Sequence, residues 1–170
     1  MQTVSGPDAK SHDWAEGAGT FARALDNLGQ GARTRVTRSN MRALVPIAEL
    51  LRGRAPRWRL VCATVDAEPD PQCPRLSMAI PRVLHAAATA ERAGIVVELE
   101  GFPRCLLGPW ARLAVAAAPR ELPERCGPCS LRPDCPGVDA AYLKRYGDAE
   151  LRPATSSTTG DISSQPKRRR

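Results

Sequence analysis

Residues 77–99 read SMAIPRVLHAAATAERAGIVVEL, and this stretch decides the fold. From Ser77 to Ala93, Ile80, Val83, Leu84, Ala87 and Ala90 recur at helical spacing, while Arg82, Glu91 and Arg92 fall on the opposite face. Gly94 is placed as a C-terminal stop. Ile95-Val96-Val97-Glu98-Leu99 then has the β-branched content of a strand. A long amphipathic helix running through one glycine into a strand is half of a βαβ unit. The missing first half lies upstream, where Trp58 to Thr64 reads as a strand.

The same alternation continues toward the N-terminus. Gln2 to Ser5 has strand character, and Gly19 to Leu28 places Phe21, Ala24, Leu25 and Leu28 on one helical face. His12-Asp13-Trp14 falls in the intervening loop. Arg33 to Thr37 reads as a strand. Ser39 or Asn40 is placed to cap a following helix with Met41, Leu44, Val45, Ala48 and Leu51 inward and Pro46 near its start. Four strands alternating with three helices predict an α/β fold with parallel strands and right-handed crossovers, about half of a (β/α) barrel. Parallel strands normally have both faces covered. Half a barrel leaves one face and one strand edge open, and the first strand is barely begun. The pattern therefore points to a missing N-terminal half or to a partner chain that completes the sheet.

From residue 101 to 153 prolines and cysteines dominate. Arg112 to Ala118 and Ala140 to Tyr146 are expected as short helices. Residues 154–170 are poor in apolar side chains and end in Lys167-Arg168-Arg169-Arg170, the composition of a disordered basic tail. The expected organisation is thus a partial barrel over 1–100, a small Cys-rich irregular module over 101–153, and the tail.

The chain of 170 residues is 42% hydrophobic and 25% charged, with a net charge of +7. That is a globular profile. Without a Lys/Arg stripe interleaved with aromatics, the charge points away from a nucleic-acid function. No apolar run is long enough to span a membrane, and no signal region opens the chain. A cytoplasmic, reducing setting is expected, in which cysteines bind metal or stay free.

Cys126-Gly-Pro-Cys129-Ser-Leu-Arg-Pro-Asp-Cys135 is a C-x2-C-x5-C run, with Cys105 upstream. Gly127 and Pro128 favour the tight turn that aims two sulfurs at one centre. Four thiolates suit either zinc or an iron–sulfur cluster. One C-x2-C pair with two single cysteines is closer to cluster ligation than to a zinc ribbon, which pairs two knuckles. Cys62 reads as a small core residue and Cys73 as a free loop thiol. His85 reads as structural.

Several stretches are similar to the radical SAM superfamily. Val4-Ser5-Gly6-Pro7-Asp8-Ala9, His12-Asp13, Gly19-Thr20-Phe21 and Ala24-Leu25 resemble its fourth barrel strand and helix. Thr37-Arg38-Ser39-Asn40 resembles the fifth. Glu98 to Leu107 resembles the entry to the C-terminal extension. Cys126 to Val138, with Tyr142 and Tyr146-Gly147-Asp148, resembles the SPASM/twitch auxiliary-cluster region. The resemblance covers about residues 3–153 and implies an auxiliary 4Fe-4S cluster on Cys105, Cys126, Cys129 and Cys135. It also implies contacts from Ser5 and Asn40 to S-adenosylmethionine. The C-x3-C-x2-C loop that holds the catalytic cluster of this family is absent from the sequence. No catalytic residue is therefore carried over, and S-adenosylmethionine chemistry would require the missing front half. Parent enzymes act on peptides or small molecules. The competing expectation is a zinc-binding adaptor, with the basic tail contacting nucleic acid.

Overall fold

A computed structural model describes residues 1–62 and 71–155. The end of the expected third strand, most of the Pro-rich loop after it, and the tail beyond residue 155 lie outside the described residues. Among the described residues, five strands form one sheet in which every pairing is parallel and the spatial order is the chain order. They are β1 (Gln2–Thr3), β2 (Ala32–Val36), β3 (Arg57–Cys62), β4 (Val96–Glu100) and β5 (Ala114–Val115). The helices are α1 (Ala9–Glu16), α2 (Thr20–Asp26), α3 (Leu44–Leu51), α4 (Leu76–Arg92) and α5 (Ala140–Tyr146). Sequential order without a reversal is the arrangement of a partial (β/α) barrel rather than a doubly wound sheet. No described helix is long and apolar enough to cross a membrane.

Side-chain alternation gives the two faces of this parallel sheet different characters. Right-handed crossovers put α3 and α4 on one face, where they pack together. That face buries Ala32, Thr34, Val36, Trp58, Leu60, Val97 and Leu99. The opposite face is charged. Register places Arg33, Arg59 and Glu98 side by side. Arg59 pairs with Glu98 at 2.7 Å and Glu100 at 3.1 Å, and Arg33 reaches Glu100 at 3.5 Å. The face expected to need covering is instead largely charged, with its charges paired across the strands.

One polar relay crosses the buried face. Trp58 Nε1 donates to Thr34 Oγ1 at 2.9 Å, and Thr34 Oγ1 donates to the Val4 carbonyl at 2.7 Å. It ties β3, β2 and the residue after β1 together in a region where an unmade hydrogen bond is costly.

Three local expectations fail for identifiable reasons. His12 is not in a solvated loop; it is buried in α1. Asp8 makes that helix by accepting from Ser11 N at 2.8 Å, a cap hidden behind Gly6-Pro7. Asn40 does not cap α3, which begins at Leu44 after Ala43. Its amide instead closes the turn after β2, accepting from Thr37 N and donating to Arg35 O, each at 2.8 Å. Pro46 sits in the first turn of α3, where its missing N–H costs nothing. Arg112 to Ala118 is not a helix: a 3-10 segment, Gly108–Leu113, leads into β5, which pairs with β4. The Cys-rich region therefore contributes a strand to the sheet. The predicted helix α4 and its stop hold, with Gly94 at φ +78°.

Candidate metal centre

After β4 the chain makes a 3-10 turn, Arg104–Leu106, that carries Cys105. The other three cysteines lie on a staircase of tight turns. Cys129 N donates to Cys126 O at 3.2 Å, Arg132 N to Cys129 O at 3.1 Å, and Cys135 N to Arg132 O at 3.3 Å. Each step is an i to i+3 bond, so the run is wound one short turn at a time without becoming an α-helix. Gly137 follows at φ +78°, where an added Cβ would collide with the Glu121 carbonyl. This close approach allows the antiparallel bridge of Glu121 with Val138.

Side chains hold these turns together by reaching backbone carbonyls. Arg104 Nε donates to Asp134 O at 2.7 Å, joining the Cys105 turn to the Cys135 turn. Arg125 NH1 donates to the carbonyls of Asp148, Ala149 and Leu151 at 3.3, 3.1 and 3.3 Å. Ser130 N donates to Ala154 O at 2.7 Å. The C-terminal segment is thereby strapped over the cysteine run, and the Arg152 N–H points at the Cys105 sulfur.

All four cysteines are free thiols; Cys126 is buried and the others are partly buried. The fold brings Cys105 within electrostatic reach of Cys126, Cys129 and Cys135. Burial pushes the Cys105 thiol up, and the other three cysteines push it further against the Arg152 N–H. Burial likewise raises Cys126, with Cys135 and Cys129 adding to it and Arg132 opposing. Among the described residues, no group of three or more His, Cys, Asp or Glu is set to hold a metal ion. The turns of Cys105 and Cys135 are joined by the Arg104 bond to Asp134 O.

Arg120 fastens this region to the sheet, and nothing in the sequence pattern announces it. Arg120 N donates to Pro136 O and its NH1 to Gly101 O, each at 2.9 Å. Its guanidinium also hydrogen-bonds Cys62 and lies 3.9 Å from Asp139. Desolvation pushes the Cys62 thiol up to about 11. Cys73, expected as a free loop thiol, is buried and lines a small cavity with Cys62, Val36 and Tyr142. Tyr142 and Tyr146 complete the junction. Tyr142 Oη accepts from Leu76 N at 2.9 Å and donates to Glu150, while Tyr146 Oη donates to Cys73 O at 3.1 Å. One buried cluster runs from Val4 through Trp58 and Leu99 to Cys126, Val138, Tyr142 and Leu151.

Ser5 and Asn40 line one cleft of about 420 Å³, with Ser39, Lys10 and the exposed Trp14. It opens at the C-terminal ends of β1 and β2, the rim where parallel α/β proteins bind ligands. Both side chains already have bonding roles. Ser5 Oγ donates to Glu16 Oε1 at 2.6 Å, Ser5 N donates to His12 Nδ1 at 3.2 Å, and both ends of the Asn40 amide are held by the turn.

The fold and site define an all-parallel α/β protein with strands in chain order and a cysteine-bearing C-terminal region packed on the same core. Compared with protein families, characterised proteins and solved structures, the chain matches none.

Proposed function

We propose that this chain is the iron–sulfur-binding C-terminal portion of a radical SAM protein, with Cys105, Cys126, Cys129 and Cys135 ligating an auxiliary 4Fe-4S cluster. The observation that carries the reading is the Arg104 bond to Asp134 O at 2.7 Å, which joins the Cys105 turn to the Cys135 turn across a long stretch of sequence that includes β5. The donor set fits the group. Four free thiols are the donor type such a cluster takes, and the turns that carry them are tight. One C-x2-C pair with two single cysteines is closer to cluster ligation than to a zinc ribbon, which pairs two knuckles.

When bound, such a cluster supplies a one-electron relay and a covalent cross-link among the turns. The chain's own residues do the rest. The four cysteines give up their protons on ligation, so loading weakens as pH falls. Arg104, Arg125 and Ser130 hold the ligand turns, and Phe102, Leu107 and Leu151 bury apolar surface beside them. With four protein ligands no iron is left open, which favours electron transfer or a structural role over substrate binding. The cleft at Ser5 and Asn40 is where S-adenosylmethionine would lie once a front half carrying C-x3-C-x2-C is supplied. That half would pair along the outer edge of β1, which has no strand partner among the described residues. Peptide or small-molecule substrates follow from the parent family.

Anaerobic reconstitution with iron and sulfide tests this reading. About four irons and four sulfides per chain are expected, with Cys105→Ala losing them as fully as Cys126→Ala. One zinc per chain, or iron content indifferent to Cys105→Ala, would sink the proposal.

A further inference from the structure

A second cleft, of about 340 Å³, is flanked by β1, α1 and α2. Gln2 and Thr3 of β1, His12 and Glu16 of α1, and one face of α2 line it. It shares no lining residue with the cleft at Ser5 and Asn40. From the groups it presents we infer that this cleft binds a primary carboxamide, which accepts a hydrogen bond from His12 and donates one to Glu16. The inference does not rest on the cluster reading.

His12 is 1% exposed, and its Nδ1 accepts from Ser5 N at 3.2 Å. A ring nitrogen that accepts carries no proton, so the neutral imidazole holds its proton on Nε2. That N–H makes no hydrogen bond among the described residues. Yet no buried side-chain nitrogen or oxygen among them is left without a partner. Nε2 therefore reaches open space, and the space that His12 lines is this cleft. It presents a hydrogen-bond donor there. A metal ion would need the same nitrogen bare, so the fixed tautomer selects a ligand with an acceptor atom.

Glu16 lies one turn further along the same face of α1. Ser5 holds both side chains, with its N–H on His12 and its hydroxyl on Glu16 Oε1 at 2.6 Å. The other carboxylate oxygen, Oε2, takes no hydrogen bond among the described residues. A donor and an acceptor thus stand a turn apart, oriented through one residue. The matching group carries an acceptor and a donor side by side. In a primary carboxamide the carbonyl oxygen accepts from His12 Nε2–H and the amino group donates to Glu16 Oε2. A carboxylate has no proton to give Glu16, and an ammonium cannot accept from His12. Arg23 also lines the cleft, so its walls carry both signs and a neutral polar group meets no net repulsion. The volume falls within the small-molecule range.

Nitrogen NMR of the imidazole in the full chain, titrated with nicotinamide, tests the inference. The chain has two histidines, so replacing the exposed one, His85→Asn, leaves His12 as the single imidazole to follow. A saturable shift of its Nε2 resonance is expected. Nicotinate, the same ring with a carboxylate for the amide, should bind about tenfold more weakly or less. Glu16→Ala, at an exposed position, should weaken nicotinamide about tenfold with circular dichroism unchanged. Trp14→Ala, which alters only the neighbouring cleft, should leave the affinity as it is. No saturable shift, equal binding of nicotinate, or an unchanged affinity in Glu16→Ala would each overturn the inference. An equal loss in Trp14→Ala would overturn it too, by assigning the probe to the other cleft.

Discussion

The sheet with its helices and the cysteine-bearing region are built by different means, although they share one buried cluster. In the first, backbone ladders satisfy backbone groups and apolar side chains do the packing. Leu60 and Leu99 sit fully buried in register on neighbouring strands. In the second, side chains satisfy the backbone. Arg104, Arg120, Arg125 and Ser130 each donate to carbonyls that no ladder reaches. The contrast teaches where a bound cluster would matter. A region with few ladders is stabilised by a handful of long side chains, each costly in rotamer entropy to hold. A multidentate centre replaces many such contacts at once. The sheet gains nothing comparable.

The largest way to break the comparison is from the sheet side. Leu60→Ala removes a fully buried side chain from the central strand and should cost about 2–5 kcal/mol. Because Cys126, Val138, Tyr142 and Leu151 belong to the same buried cluster, both regions should melt in one transition. Two separated transitions would show that the cysteine region folds on its own.

Arg120→Met should act more selectively. It keeps apolar bulk but leaves the Gly101 carbonyl without this donor and removes the guanidinium 3.9 Å from Asp139. A loss of about 1–3 kcal/mol is expected. Hydrogen exchange should rise over residues 120–154 while β2, β3 and β4 stay protected, and iron loading should fall with it. Uniform loss of protection along the chain would mean that Arg120 is only a core residue.

These two tests also mark what a reader of the sequence can see. Periodicity exposes α4, β4 and β3, because each is long and faces one core. It does not expose β5, two residues of an Ala-rich run whose partner strand decides its state. It hides α1, since the Asp8 cap follows Gly6-Pro7, a pair that reads as a turn. The cysteine run is plain in the sequence, but the approach of Cys105 is a tertiary fact. The alternation of strands and helices predicts an open face and not a charged one, although Arg33 and Arg35 alternate with Ala32, Thr34 and Val36, and Glu98 and Glu100 flank Leu99. Their significance appears only when register sets them across from one another.

The smallest effect concerns the seam itself. Burial pushes the Glu150 carboxyl up, but hydrogen bonds from Ser77 and Tyr142 and the nearby Arg75 outweigh it, so its pKa lies below the usual value. Linkage gives the sign. An acid whose native pKa is depressed stabilises the fold fully at pH values above its unfolded pKa, about 4.3 for Glu. That stability is lost as pH falls from there through the lower native value. Asp13 is depressed chiefly by the Gly19 N–H, and Glu91 by Arg112, so the acid limb of the whole protein is a sum of several carboxylates. The contribution of the seam is isolated by comparing wild type with Glu150→Gln, which keeps an acceptor for Ser77 and Tyr142 but does not ionise there. Denaturant midpoints of the two should differ at pH 7 and converge toward pH 3. A constant offset across that range would mean that shape, not charge, joins α5 to α4. The sheet would then lend the cysteine region a packing surface and no electrostatic anchor at this point.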